Sequence, residues 1–439
     1  MITAPKPSLA ALSTAALAVF FTVLYGTANA ASTIDLLGNA TFPEGILEMP
    51  DGNLLVGGFG DGSIQFIDFS SSDTAPDVSY FSAPGENGMI IAVGMAIDEA
   101  RDRLWVANFN FNVNDTGIPG SQLKVFTLST RSLLFTLPSS DEFVVGSFFN
   151  ELAISPADGT VYVTDTFLPR LWVADPNLAS SSVEVFVEDA DLLANNDPAQ
   201  PFDLNGLAMT PDGTALVASV MDRLDAGDGR LVHVDLASRT VTNIELSGTV
   251  APFAGSDGMF FMANPDDSSL RLVMVNVFSS AGAIMTADFD SSSSTAAVLA
   301  VHDAFQSVYD RPTASAIAGG KLWTVNSQLD HIIDDANGAL GTPPSLPFQI
   351  VGVPLSELFA RDEDMGRTPS AAPASAPVSA PVSSPVPMPT HDASSSPSSP
   401  SSPSSPSSPS SPSSPSSSSA CSFRVLVSIS AALLVVLSA

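Results

Sequence analysis

The chain is patterned as short apolar or alternating runs separated by Gly, Asp and Pro, with almost no helical periodicity. In one stretch the apolar runs are Leu207–Met209, Ala215–Ser219, Leu231–Asp235 and Val241–Leu246. Pro211-Asp212-Gly213 follows the first run and Gly227-Asp228-Gly229 the second. Runs of this length bounded by turn formers predict strands joined by hairpins. The same four-run unit occurs six times, opening at Glu44, Val93, Asn150, Asn205, Asp257 and Pro312, with spacings of 49, 57, 55, 52 and 55 residues. Its third run recurs as Ile64–Asp68, Leu171–Asp175, Leu231–Asp235 and Ile284–Asp288. Four strands per unit, six times over, predict an all-β, six-bladed β-propeller. A sandwich would not give six equal units. To close the ring, either Thr33–Leu37 or Phe348–Pro354 could complete the terminal blade, and Ser356–Arg367 reads as the exit from the domain.

The two ends differ from this pattern. Residues 1–30 carry Lys6, an apolar run from Leu9 to Leu24 and the small-x-small site Ala28-Asn29-Ala30, which predicts a secretory signal peptide cut before Ala31. The propeller is expected over 31–360. From about Thr368 to Ser419 the sequence is nearly all Ser, Pro and Ala, a composition that cannot bury apolar surface, and a disordered stalk is expected over 361–419. Residues 420–439 end in the apolar tail Val425–Ala439. Small residues, a short spacer and a terminal apolar tail predict a GPI-attachment signal, with Ser416 to Ser419 as candidate sites. A transmembrane helix is the competing reading, but fifteen residues span only about 22 Å of a roughly 30 Å hydrocarbon core.

Composition narrows the function. The formal charge is −31, from 46 acidic and 15 basic residues, which leaves no basic patch for nucleic acid. The single cysteine, Cys421, lies in the tail that anchoring would remove, so neither a disulfide nor thiol chemistry is expected. The sequons Asn39-Ala40-Thr41 and Asn114-Asp115-Thr116 fit an extracellular glycoprotein.

In a propeller the first strand of each blade lines the central channel, so its opening residue sits at one mouth. Glu44, Asn150, Asn205 and Asp257 would then converge there as two carboxylates and two amides. An all-oxygen set suits a hard divalent cation, Ca²⁺ first, with Zn²⁺ or Mg²⁺ as alternatives. The second strands return to the same mouth and bring Asn108, Asp165, Ser219, Asn276 and Asn326, of which Asn108 and Asp165 are candidate substrate contacts. Asp165 could equally serve only to satisfy backbone donors at its strand end. The Asp residues closing the third runs, Asp68, Asp175, Asp235 and Asp288, read as turn residues, and Trp105 and Trp323 as core.

Phe42-Pro43-Glu44-Gly45, Asn150, Asn205-Gly206-Leu207 and Asp257-Gly258-Met259, in this order and spacing, resemble the SMP-30/gluconolactonase family of six-bladed propellers over roughly residues 40–330. The resemblance implies that Glu44, Asn205 and Asp257 bind a divalent cation, that Asn150 lies beside it and contacts substrate, and that Asp257 is the base. Two departures stand out: Phe148 replaces the arginine that holds a sugar acid, and Asn150-Glu151 replaces Asn-Asp. The expected activity is therefore hydrolysis of a lactone or ester more apolar than a sugar lactone, by an enzyme held at the cell surface by a lipid anchor. The alternatives are a non-catalytic surface-binding propeller with a structural cation and, last, a strictosidine-synthase-like enzyme.

Overall fold

The computed structural model describes residues 31–359 apart from 71–75, 140–141, 178–181, 194–203, 222–228, 249–252, 264–269, 277–283, 290–294, 303–305, 335–338 and 341. The expected signal peptide, stalk and anchor signal lie outside the described residues.

Among the described residues, six mostly antiparallel sheets of four or five strands follow in chain order, and Ile333–Asp334 pairs with Ala339–Leu340 as a separate two-stranded sheet. Blade 1 contains Pro43–Glu48, Leu54–Gly58, Ile64–Asp68 and Asp77–Ser82. Blade 2 contains Ala92–Asp98, Arg103–Asn110, Gly120–Thr127 and Ser132–Leu137, with Val144–Val145 added beside its third strand. Blade 3 contains Phe149–Ile154, Val161–Asp165, Arg170–Ala174 and Glu184–Glu188. Blade 4 contains Leu204–Met209, Ala215–Val220, Arg230–Asp235 and Val241–Asn243. Blade 5 contains Met259–Ala263, Leu270–Val275, Ile284–Phe289 and Ala296–His302. Each inner strand packs on the next, and that of blade 6 on that of blade 1, so the sheets form a closed ring.

Blade 6 is closed by both of the candidate segments. Its strands are Pro312–Ala318, Lys321–Asn326, Gln349–Pro354 and, outermost, Ser32–Asp35 from the start of the domain. The register runs from Ser32 opposite Gly352 to Asp35 opposite Gln349. Gln349 donates to Asp35 at 2.7 Å, and Lys321 to the Ser32 hydroxyl at 2.8 Å. A strand from one end of the domain thus pairs with the outer side of Gln349–Pro354 and ties the two ends of the domain together. The short helix Leu355–Phe359 follows, with Leu358 buried and its carbonyl against the His302 ring at 3.2 Å.

The cores lie between blades. Leu55, Ile64 and Phe81 of blade 1 meet Met95, Leu104 and Phe126 of blade 2, and an equivalent cluster joins blades 4 and 5. Second strands are covered on both faces, so Leu54, Leu55 and Val56 are all fully buried and read as a continuous rather than alternating run. Trp105 and Trp323 are core residues, as expected.

The fourth run of unit four departs from expectation. Val241–Asn243 completes blade 4, but Glu245–Ser247 pairs in parallel with the outer strand of blade 5. The run carries two partners because it is the crossover between blades. Of the four third-run aspartates, Asp68, Asp175 and Asp235 accept turn N–H groups. Asp288 differs: it forms a bidentate pair, at 2.7 and 2.9 Å, with the nearly buried Arg271.

Ile34 is buried on the closing strand. Ile34→Ala is expected to cost about 2–5 kcal/mol, typical of a buried Ile→Ala change, measured as a lowered urea midpoint with an unchanged slope.

Candidate functional site

The inner strands are irregular at one place. Pairing shifts between Pro43 and Ile46, Ala92 and Met95, Phe149 and Leu152, Leu204 and Leu207, and Pro312 and Ser315. Each shift leaves a two-residue bulge: Glu44-Gly45, Val93-Gly94, Asn150-Glu151, Asn205-Gly206 and Thr313-Ala314. A bulge re-aims side chains beside a site. In blade 5, Asp257-Gly258 precede the strand and still bond to Val275, through Asp257 N–H at 2.8 Å and Gly258 C=O at 3.1 Å. The sixth ring residue is therefore Thr313 and not Pro312, which pairs with Asn326 one step outside the bulge.

The second bulge position explains the repeated glycine. A Cβ on Gly45 would lie 2.4 Å from the Val93 carbonyl oxygen, one on Gly94 2.2 Å from that of Asn150, and one on Gly206 2.2 Å from that of Asp257. Each opener's carbonyl thus rests on the preceding blade where only glycine leaves room. Blades 3 and 6 have Glu151 and Ala314 there. Threonine hydroxyls take over: Thr164 donates to the Asn205 carbonyl and Thr313 to the Glu44 carbonyl, both at 2.7 Å.

The four predicted ring residues, Glu44, Asn150, Asn205 and Asp257, are all buried and occupy equivalent places in blades 1, 3, 4 and 5. The Asn150 amide donates to Thr166 Oγ1 at 3.0 Å. The Asn205 side chain hydrogen-bonds the Asp257 carboxylate, yet its Oδ1 is buried without a partner. An orphaned buried amide oxygen is costly.

Glu151, in sequence only a departure from the Asn-Asp pattern, joins this group. It keeps partial exposure although protein surrounds its carboxylate, as suits a side chain opening onto the channel. Burial pushes its carboxyl from 4.5 up to about 8, partly offset by a hydrogen bond from Leu152 N–H. Burial, then the Asp257 charge, then that of Glu151 raise Glu44 well above the carboxylate range. Burial and the Glu151 charge likewise raise Asp257, against hydrogen bonds from Asn205 and Gly258. No basic side chain enters the balance at any of the three. Such a set holds either protons or a cation. The Glu44 and Asp257 carboxylates and the unpartnered amide oxygen of Asn205 make an all-oxygen donor set, so these residues fit a hard divalent ion.

Among the described residues, one trio of acidic or imidazole ligand atoms lies mutually within 4.8 Å: Asp310, Asp330 and His331, on the rim of blade 6. Glu44, Glu151 and Asp257 are therefore spread more widely. Glu151 belongs to the electrostatic surroundings of Glu44 and Asp257 rather than to one tight cage. The rim trio is partly exposed and shares Asp330 with Arg311 at 3.6 Å.

Asn108 and Asp165 do not present themselves to a ligand. Asn108 is fully buried, accepting from Ile90 N–H at 2.8 Å and donating to the Gly88 carbonyl and Gln122. Asp165 is also fully buried and accepts from Phe148 N–H, Phe167 N–H and the Trp172 indole at 3.0, 3.1 and 2.9 Å. Both staple loops to their strand ends, and their polar atoms are spent on those bonds. Asn326 repeats the device on Val308 and Asp310.

No family model matches the chain, and no curated protein matches it by sequence. Solved structures do match. The major allergen Mala s 1 of Malassezia sympodialis is 13% identical, with a TM-score of 0.51 over 73% of this chain and 95% of that one. A gluconolactonase is 14% identical, covering 74% and 92% with a TM-score of 0.44. A luciferin-regenerating enzyme is 11% identical, covering 74% and 96% with a TM-score of 0.43. At these identities the likeness is one of fold.

The Glu151 shift sets a pH dependence. The folded state holds a proton between 4.5 and about 8 that the unfolded chain gives up. This group therefore stabilises the fold fully below 4.5, and its contribution is lost as pH rises toward 8. In chelator, the melting temperature is expected to fall across this window, and Glu151→Gln to flatten the fall.

Proposed function

We propose that the protein is a divalent-cation-dependent lactone or ester hydrolase with its active site at this channel mouth. The observation that carries the reading is that the Glu44, Glu151 and Asp257 carboxyls of blades 1, 3 and 5 share one electrostatic neighbourhood, in which the Oδ1 of Asn205 on blade 4, whose side chain bonds Asp257, is left unpartnered. Glu44, Asn205 and Asp257 would hold the ion, with Asn150 beside it. A bound divalent cation supplies positive charge that polarises the substrate carbonyl and stabilises negative charge developing on its oxygen.

The chain's own residues do the rest. Asp257, held by the Asn205 amide and the Gly258 N–H, orients a water and accepts its proton as the water oxygen bonds to the carbonyl carbon. The acyl C–O bond then breaks, and the proton passes to the departing alkoxide. The Asn150 amide, fixed by Thr166, faces the substrate. Phe148 in place of a cation removes any counter-charge for a sugar acid.

The composition of the ends supports a location for this activity: secretion, then display on a Ser/Pro stalk carried by a lipid anchor at residues 416–419.

Metal content of the purified protein by mass spectrometry is expected to be close to one divalent ion per chain. Lactone or ester hydrolysis should be lost in chelator and return with Ca²⁺. Asp257→Asn is expected to lower kcat at least about 100-fold; full activity in either case sinks the mechanism. A cation-dependent melting shift without turnover across a broad ester and lactone panel would make the protein a binding module. Phosphatidylinositol-specific phospholipase C should release the protein from expressing cells, and retention after treatment would overturn the lipid anchor.

A further inference from the structure

Five phenylalanines from three successive blades form one patch beside this site. Phe109 of blade 2 stacks on Phe148 of blade 3, with centroids 4.1 Å apart and planes at 19°. Phe167 meets both edge-on, at 5.9 and 5.3 Å. Phe111 meets Phe109 at 4.7 Å and reaches Phe59 of blade 1 at 6.2 Å. Phe109 and Phe148 are buried and form the floor; Phe59, Phe111 and Phe167 remain partly exposed.

The backbone places this patch immediately above the ring of openers. Phe59 N–H bonds to the Phe42 carbonyl and Phe109 N–H to that of Ile91, each acceptor two residues before an opener. Phe167 follows Thr166, whose hydroxyl receives the Asn150 amide. The Asn110 and Asn112 side chains of the adjoining loop are engaged in its own turns: Asn110 accepts from Asn112 N–H at 2.8 Å, and Asn112 from Gly117 N–H at 2.6 Å. Phe59, Phe111 and Phe167 supply partly exposed apolar surface at these strand ends. No basic side chain balances the carboxylates below them. An apolar wall beside a few convergent polar groups is the usual composition of a small-molecule site.

We infer that Phe59, Phe111 and Phe167, on the floor of Phe109 and Phe148, bind the apolar part of a neutral lactone or ester, an inference that rests on the hydrolase reading for its substrate class. Aromatic surface takes up alkyl or aryl groups by burial and edge contacts, and a phenyl wall offers no counter-charge to an anionic acid.

The test has two arms. With γ-lactones of increasing alkyl length, kcat/KM is expected to rise about threefold to fourfold per methylene over the first few carbons, and Phe111→Ser and Phe167→Ser to flatten that series. Independently of turnover, the neutral apolar dye N-phenyl-1-naphthylamine is expected to bind wild type with enhanced fluorescence and to lose at least tenfold in affinity in both variants. Calorimetric Ca²⁺ affinity should stay unchanged in the variants, which shows that the fold and carboxylate site are intact. Turnover without chain-length preference, or dye binding that is absent in wild type or unaltered in both variants, overturns the inference. Dye binding lost in the variants, with no hydrolysis by wild type, sinks the hydrolase reading while the apolar wall stands.

Discussion

The close approach of neighbouring inner strands at the bulge governs both fold and site. At that place the carbonyl of one opener lies against the Cα of the preceding blade, at a distance that excludes a Cβ on Gly45, Gly94 or Gly206. Where the chain has Glu151 or Ala314 instead, Thr164 or Thr313 satisfies the carbonyl by a hydroxyl. Backbone carbonyls in this region are enclosed by protein and have to be paired or packed. Once they are held between blades, the opener side chains share one mouth. Thr313 on Glu44 is also the bond that brings blade 6 to blade 1, so ring closure and site assembly depend on the same contact.

That geometry concentrates charge of one sign. Placing Glu44, Glu151 and Asp257 together in a buried setting without a basic partner destabilises the ionised state. Asp257 and Glu151 raise Glu44, Glu151 raises Asp257, and the hydrogen bonds from Asn205, Gly258 and Leu152 offset only part of the effect. A ring of six blades with a closing strand has the interblade packing to support such a cluster. The unpartnered Asn205 oxygen makes the same point by different chemistry, since an amide donor serves Asp257 while its acceptor is left open.

Polarity and apolarity divide around the mouth. The openers of blades 1, 3, 4 and 5 are polar, whereas the strand ends of blades 1, 2 and 3 carry phenyl rings just above them. Asn108 and Asp165, which occupy equivalent strand ends, are withdrawn from this surface by the loops they fasten. The mouth is thereby narrower in chemistry than a census of its polar residues suggests.

The repeat period, the six blades and the shared repeat position of Glu44, Asn150, Asn205 and Asp257 are legible in the sequence, because strand length, turn residues and apolar runs are local properties. Partnership is not local. Only the tertiary structure decides that Ser32–Asp35 and Gln349–Pro354 share blade 6, or that Val241–Leu246 divides between blades 4 and 5. It also moves the sixth opener from Pro312 to Thr313, since a bulge is defined by the strand opposite. Glu151 was visible only as an acid standing where four other units have glycine. Its meaning came from Glu44 and Asp257, more than a hundred residues away on either side, which feel its charge once the ring has closed.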